Sequence, residues 1–372
     1  MCYKTLIPAA VCFLMLSVQA GHAKDHAYGP WNIDINAALD LEFNNNVFYE
    51  ESDTSSDVVW HIIPSVTFEY EQLDNVLFSA DLELNTHLYS KNSEANITET
   101  VLHLEARPVH YGGYFICSEH YERVQNYSPS DGLLETGINI FEIGGGYGGN
   151  HLDVSGVASF TSARFSPGLF SVLDYTRSSV KSEVSYRINS LYWISGIRFG
   201  RLNYSDDVFN DGKFWGLWGG VGKEFSPKTS LEFKTEYFRE SHSGGDSFSG
   251  LLFSLEAEHS YSSGKGSAQI LIERKVMPSA VIGVDYASVT SITVRSVNEF
   301  SFNLSGEFEL GVDFDSVGER ADRVFSLSAQ GGYMPKKGLR ITFGLASTGR
   351  SSSIEEYSFS QFTLFAGVAW VY

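Results

Sequence analysis

The last fourteen residues of the chain, 359–372, alternate between apolar side chains and small or polar ones. The apolar set is Phe362, Leu364, Ala366, Val368, Trp370 and Tyr372, and the other set includes Gln361, Thr363, Gly367 and Ala369. Successive side chains of a β-strand point to opposite sides, so this segment predicts a strand with one apolar face. Aromatic residues at the end of such a strand are typical of a membrane-spanning sheet, in which the apolar face meets lipid and the aromatics lie at the interface.

This segment resembles the C-terminal signature of bacterial outer-membrane proteins, with Trp370 and Tyr372 as the membrane-insertion signal. The resemblance implies a protein of the bacterial outer membrane. It also implies that the barrel-assembly machinery, the lipids of the outer membrane and lipopolysaccharide are partners of the chain.

The N-terminus predicts export from the cytoplasm. Lys4 precedes an apolar stretch from Leu6 to Val18, and the small residues Ala20 and Ala23 follow as alternative cleavage points. We therefore expect a signal peptide over residues 1–23 and a β-barrel over 24–372. The apolar stretch is too short for a permanent transmembrane helix, which needs about 20 residues.

Composition excludes some function classes. The chain has 45 acidic and 26 basic residues and a formal net charge of −19, which argues against nucleic acid as a partner. With 14% aromatic residues and 35 glycines, it is typical of many strands and turns and not of a disordered acidic protein. Cleavage of the signal peptide would leave Cys117 as the only cysteine, so no intramolecular disulfide is expected.

Alternating segments divided by turn residues fill the rest of the chain, and many of them have the length of a tilted membrane-spanning strand. We predict an all-β fold, a transmembrane antiparallel up-and-down β-barrel of about eighteen strands, with sixteen as the alternative. The segments are 31–43, 58–70, 75–89, 97–107, 112–123, 133–147, 151–163, 175–188, 191–204, 211–224, 229–241, 246–259, 265–275, 281–295, 299–313, 321–333, 338–350 and 358–372. Short connections alternate with longer ones, among them 124–132, as expected of one closed barrel domain.

The polar face of these segments is rich in carboxylates. If the apolar face meets lipid, the carboxylates line the lumen. They are Glu69, Asp81, Glu83, Glu105, Glu232, Glu236, Glu256, Glu258, Glu273, Asp285, Glu307 and Glu309. Basic residues on that face are fewer, among them Arg107, Lys234 and Arg295. Such a lumen favours cations over anions. The alternative is that the carboxylates are solvated polar residues with no role in selectivity.

The sequence contains motifs that resemble catalytic or cofactor-binding sites, but each lacks a structural feature that the function requires. Gly144, Gly146 and Gly149 have dinucleotide-binding spacing, but alternation resumes after them where a helix is needed. A Ser/His set, His103, Ser118 and His120, has no recognisable nucleophile–base spacing. We expect no enzyme activity, catalytic residue, cofactor or metal ion.

Two parts of the chain are similar to the β-barrel porin 2 family. One is residues 40–48, an early strand and an asparagine-rich turn, followed by a proline-containing strand over 63–70. The other is the run 322–327 and the strands after it. The likeness covers about residues 40–107 and 280–372. It implies an outer-membrane, porin-like conduit for an exopolysaccharide, with periplasmic export components as partners, and no catalytic residues.

Two functional hypotheses follow. The first is a passive outer-membrane channel that exports an exopolysaccharide through an acidic lumen. The second is a structural or adhesive outer-membrane barrel that acts through its extracellular loops, for which the acidic loop 44–57 is the main support.

Overall fold

Nineteen antiparallel strands form one sheet in the computed structural model. It describes residues 31–47, 54–72, 75–93, 96–110, 112–128, 132–166, 172–206, 210–243, 247–261, 265–278, 286–301 and 303–371. The strands are β1 Trp31–Asn44, β2 Asp57–Gln72, β3 Asn75–Tyr89, β4 Ile97–Ala106, β5 Val109–His110, β6 Gly113–Ser128, β7 Gly132–Gly148, β8 Leu152–Ser166, β9 Tyr175–Ile188, β10 Leu191–Tyr204, β11 Gly212–Ser226, β12 Thr229–His242, β13 Ser247–Ser260, β14 Gly266–Pro278, β15 Tyr286–Ser301, β16 Leu304–Val317, β17 Arg320–Lys336, β18 Leu339–Ser352 and β19 Phe359–Val371. A 3-10 helix, Glu355–Tyr357, precedes β19. No helix among these residues is long and apolar enough to cross a membrane.

The sheet closes on itself because β1 pairs with β2 on one side and with β19 on the other. Every long strand pairs with its neighbours in the sequence, and the two-residue β5 only extends the edge of β6. The result is an up-and-down barrel of eighteen long strands, which confirms the predicted fold class. A closed barrel has no open sheet edge, so hydrocarbon can surround it without meeting unpaired backbone groups.

Connections at one end of the barrel are short, such as 189–190, 227–228 and 337–338. Several connections at the other end are longer, such as 45–56, 90–96 and 205–211. Outer-membrane barrels have short periplasmic turns and longer extracellular loops, so the end with the longer connections is the extracellular end. Residues 45–47 of the first loop are held in place: Asn46 is fully buried, and its side chain donates to the backbone oxygen of Ser360.

Two predicted boundaries are wrong. Residues 124–128 and 132 of the expected long connection belong to the sheet, because β6 and β7 pair as far as Ser128 and Gly132. The expected strand 281–295 is β15, which continues to Ser301, beyond the predicted end at residue 295, whereas residues 281–285 lie outside the described residues. Both errors lie at barrel ends. There a strand has water on both faces, so apolar alternation is lost while the backbone ladder continues.

Inward-facing glycines of β10 make room for aromatic side chains of β11. A Cβ atom at Gly196 would overlap the ring of Trp218 and the backbone oxygen of Ser182. A Cβ at Gly200 would overlap the ring of Phe214 in the same way. The rings lie over the glycine backbone, and so the wall of the barrel packs tightly without a side chain at these two positions.

We expect Gly196→Val to lower the free energy of unfolding by about 2 kcal/mol, because the added side chain must displace Trp218 or the β9 backbone. Denaturant-induced unfolding in lipid vesicles, followed by tryptophan fluorescence, measures the change. Gly219→Val is the matched control, since the nearest atom to a Cβ there is the Ile194 oxygen at 3.9 Å. An equal loss in both variants would contradict the packing explanation.

Candidate functional site

The barrel separates its side chains into two faces with different chemistry, as β12 illustrates. Its inward residues include Glu232, Lys234 and Glu236. The residues between them and beside them, Leu231, Phe233 and Tyr237, face outward and are 37%, 42% and 42% exposed. A closed sheet with large apolar side chains outside and polar ones inside matches a transmembrane barrel, so the lumen is the candidate functional site.

The register of the strand pairs gives the direction of each predicted lumen residue, because directly paired residues point to the same face. Eleven of the twelve predicted carboxylates lie in described segments, and all eleven are on the inward face. They are Glu69, Asp81, Glu83, Glu105, Glu232, Glu236, Glu256, Glu258, Glu273, Glu307 and Glu309. Asp285 lies outside the described residues. Of the predicted insertion signal, Trp370 faces outward beside Ala37, and Tyr372 also lies outside the described residues.

One side of the lumen, from β1 to β8, carries carboxylates without a basic counterpart. We call this inward face the acidic wall. Besides Asp57, which accepts backbone hydrogen bonds at the extracellular end, its carboxylates are Asp34, Asp40, Glu42, Glu69, Asp81, Glu83, Glu99, Glu105, Glu122, Glu142 and Asp153. Among the described strand residues of this sector, the two arginines, Arg123 and Arg164, both lie on the outward face. Among the described strand residues, the acidic wall therefore has no lysine or arginine to balance its carboxylates.

Histidines are the partners of several carboxylates of the acidic wall. His61 Nε2 lies 3.0 Å from Glu42 Oε2, and His87 Nε2 lies 2.9 Å from Glu99 Oε2. The two imidazole rings contact each other edge to face, with centroids 4.6 Å apart. The described hydrogen-bond partners of these two carboxylates on the neighbouring strands are thus imidazoles, and not lysine or arginine side chains.

The Ser/His set of the sequence, His103, Ser118 and His120, lies on the acidic wall. His103 and His120 are cross-strand partners with ring centroids 6.0 Å apart, and Ser118 lies opposite Glu105. No hydrogen bond joins Ser118 to either histidine in the described structure. In the same part of the chain, no group of three or more His, Cys, Asp or Glu side chains is arranged to hold a metal ion.

The opposite side of the lumen, from β9 to β18, carries both signs of charge. We call it the paired wall, since its cations lie next to carboxylates. Arg198 donates two hydrogen bonds to Glu236, at 2.6 and 2.9 Å. Further pairs are Lys181–Glu183 at 3.4 Å, Arg187–Glu224 at 2.8 Å, Lys234–Glu232 at 2.7 Å, Lys275–Glu273 at 3.0 Å and Arg295–Glu307 at 2.6 Å. Several predicted lumen carboxylates are thus already neutralised.

The paired wall also contains a cluster of buried aromatic and aliphatic side chains. Phe214, Phe238 and Leu252 form a buried cluster on β11, β12 and β13. The guanidinium groups of Arg177 and Arg198 lie over two of these rings, 4.4 Å from the centroid of Phe214 and 4.7 Å from that of Phe238. Stacking on aromatic rings fixes these long cationic side chains against the wall.

A recess of about 290 Å³ lies in the paired wall. Its lining includes Lys181, Arg198, Glu236 and Trp218, and the Lys181 ammonium lies 5.2 Å from the centre of the Trp218 ring. The recess therefore presents hydrogen-bond donors, acceptors and an aromatic side chain to the lumen.

Sequence reasoning missed the two-sided charge of the lumen. It found the carboxylates by alternation, but it named few of the inward cations and overlooked Arg177, Lys181, Arg187 and Arg198. Alternation along β9 and β10 was the available signal, since these residues alternate with outward ones such as Val180, Val184 and Ile197.

Comparisons with known structures support the fold. The chain is similar to the crystal structure of Pseudomonas aeruginosa OccK2 (OpdF), with a TM-score of 0.51 and 10% identity over 92% of this chain and 98% of that one. It is also similar to the FrpB iron transporter from Neisseria meningitidis, with a TM-score of 0.51 and 8% identity over 93% of this chain and 81% of that one. No family model and no curated protein matches the sequence. The chain is thus a β-barrel of the bacterial outer membrane with porin-like architecture.

Proposed function

We propose that the protein is a passive outer-membrane channel with a cation-favouring lumen, which exports an exopolysaccharide. The observation that carries the channel is the acidic wall, eleven inward carboxylates on β1 to β8, where the described strand residues place no lysine or arginine on the inward face. In a confined pore with a low-dielectric wall, such a row concentrates cations and repels anions.

A polysaccharide as the exported solute agrees with the resemblance to the β-barrel porin 2 family. The recess near Trp218 offers what a sugar requires, an aromatic face together with donors such as Lys181 and acceptors such as Glu236. Because the acidic wall repels polyanions, we expect the polymer to be neutral or partly cationic. Periplasmic export components would deliver it to the periplasmic end.

Transport through such a lumen requires only hydrogen bonding and electrostatic sorting, so we propose no catalytic step. His103 and Ser118 form no nucleophile–base pair within the described residues, and the structural neighbour FrpB is an iron transporter. Replacing both residues with alanine is therefore expected to leave export unchanged.

Deletion of the gene in the source bacterium tests the proposal. We expect polymer to disappear from the medium and to accumulate in the periplasm, and the wild-type gene to restore secretion. Sugar analysis of the two fractions measures this. Normal secretion by the deletion strain would exclude the export function.

A surface-adhesion assay on the same strain addresses the alternative, a structural or adhesive barrel that acts through its extracellular loops. Loss of adhesion with normal secretion would favour that function.

The acidic residues 50, 51 and 53 of the first loop lie outside the described residues, whereas Asp57 has a structural role. Its carboxylate accepts hydrogen bonds from the backbone N–H groups of Val58, Ser90, Lys91 and Asn92.

A further inference from the structure

Seven basic residues face outward near the extracellular end of the barrel, on the surface that meets the membrane. They are Arg123, Arg164, Arg201, Lys213, Arg239, Arg274 and Arg323, and all are exposed. Each is within about five residues of the extracellular end of its strand. In a chain with a net charge of −19, this belt is an unusual concentration of positive charge.

The belt differs from the lumen in having little compensation by acidic side chains. Lumen cations such as Arg198 and Arg295 form ion pairs with carboxylates. By contrast, Arg201, Lys213 and Arg239 form no ion pair with any described residue. Glu119 is the one carboxylate that the described strand side chains place on the outward face. Arg201, Lys213 and Arg239 therefore have no acidic partner among the described residues.

Arg201 and Lys213 lie directly opposite each other on β10 and β11. Like charges at directly opposed positions of a sheet repel each other and destabilise the pair. Arg239 of β12 is one row nearer the membrane centre, opposite Trp215. Three cations on three adjacent strands thus converge where an anion would relieve their repulsion.

Aromatic side chains lie next to these cations. Phe199 and Trp215 are in the same row as Arg239, one row below Arg201 and Lys213, and Tyr237 is one row nearer the membrane centre. Phe199 pairs with Trp215, and the ring of Trp215 contacts that of Tyr237 with centroids 5.5 Å apart. The three rings are 51%, 43% and 42% exposed. We call these six residues the basic aromatic patch. They are Arg201, Lys213, Arg239, Phe199, Trp215 and Tyr237.

We propose that the basic aromatic patch binds a phosphorylated, acylated glycolipid of the outer leaflet, the lipid A part of lipopolysaccharide. The cations would bind the phosphates, with Arg201 and Arg239 able to bind them in a bidentate manner. The acyl chains would lie along the exposed rings. Charge complementarity favours this occupant over a second copy of the chain, because the outward face offers a single described carboxylate to meet three cations.

Binding of diphosphoryl lipid A to the purified full-length protein in detergent micelles tests the proposal. The patch variant carries Arg201→Gln, Lys213→Gln and Arg239→Gln. Each basic residue near a membrane surface contributes about 1 kcal/mol, so we expect the variant to bind about a hundredfold more weakly. We also expect monophosphoryl lipid A to bind the wild type more weakly than diphosphoryl lipid A.

The matched control removes three exposed cations at the periplasmic end, by Lys223→Gln, Lys336→Gln and Lys337→Gln, and should keep wild-type affinity. Heat-modifiable migration in gels establishes that each variant is folded. If the triple variant fails to assemble, Arg201→Gln alone should still weaken binding about fivefold.

Three results would overturn the proposal. The first is wild-type affinity in the patch variant. The second is equal binding of phosphatidylglycerol and diphosphoryl lipid A, which would show a site for any anionic lipid. The third is a patch variant that changes from oligomer to monomer in light scattering, which would assign the patch to contacts between copies.

Discussion

Neutralising two carboxylates of the acidic wall, by Asp81→Asn and Glu83→Gln, is expected to lower the preference for potassium over chloride about threefold. Both side chains face the lumen from β3, and His103 is the cross-strand partner of Asp81. No lysine or arginine among the described strand residues of β1 to β8 faces the lumen, so the negative charge of these two carboxylates acts on passing ions. The reversal potential in planar bilayers under a potassium chloride gradient measures the preference.

The control for this prediction removes two acidic residues outside the lumen. Glu319 and Glu355 are exposed in extracellular connections, so Glu319→Gln with Glu355→Gln makes the same change in net charge. We expect its ion preference to remain close to that of the wild type. An equal shift in both variants would mean that net charge and not the acidic wall sets selectivity. A wild-type protein with no preference would refute the cation-favouring lumen.

Leu364→Arg is expected to have a much larger effect on assembly than the same substitution one residue earlier. Leu364 is near the middle of β19, faces outward between Phe43 and Leu345, and is 45% exposed. An arginine facing lipid at the centre of the membrane costs about 2–4 kcal/mol. We expect the free energy of unfolding in vesicles to fall by about that amount, with much less protein assembled in the outer membrane.

Thr363→Arg is the matched control, because Thr363 lies on the inward face of the same strand, paired with Ala346. The lumen offers water and carboxylates to an arginine there, so we expect a loss below about 1 kcal/mol. Urea-induced unfolding of both variants in lipid vesicles gives the comparison. Equal losses at positions 363 and 364 would show that lipid does not face one side of β19 and water the other.

The lumen shows why only part of the candidate site could be predicted from the sequence. Alternation placed Glu69 and Glu105 on one face because side-chain direction in a strand is a local property. Whether a carboxylate is neutralised depends on the neighbouring strand: Arg198 and Glu236 are far apart in the chain but meet across β11. No local pattern contains that information.

The sequence by itself determined the strand number, the closing strand and the two faces of the sheet, since period-two alternation is enforced along each strand by lipid on one side and water on the other. Only the tertiary structure decided the register. Register sets which side chains meet across strands, and so it divides the lumen into an acidic wall and a paired wall and brings Arg201, Lys213 and Arg239 together on the outside. Those contacts are non-local, because backbone pairing between strands fixes them and spacing within a strand does not.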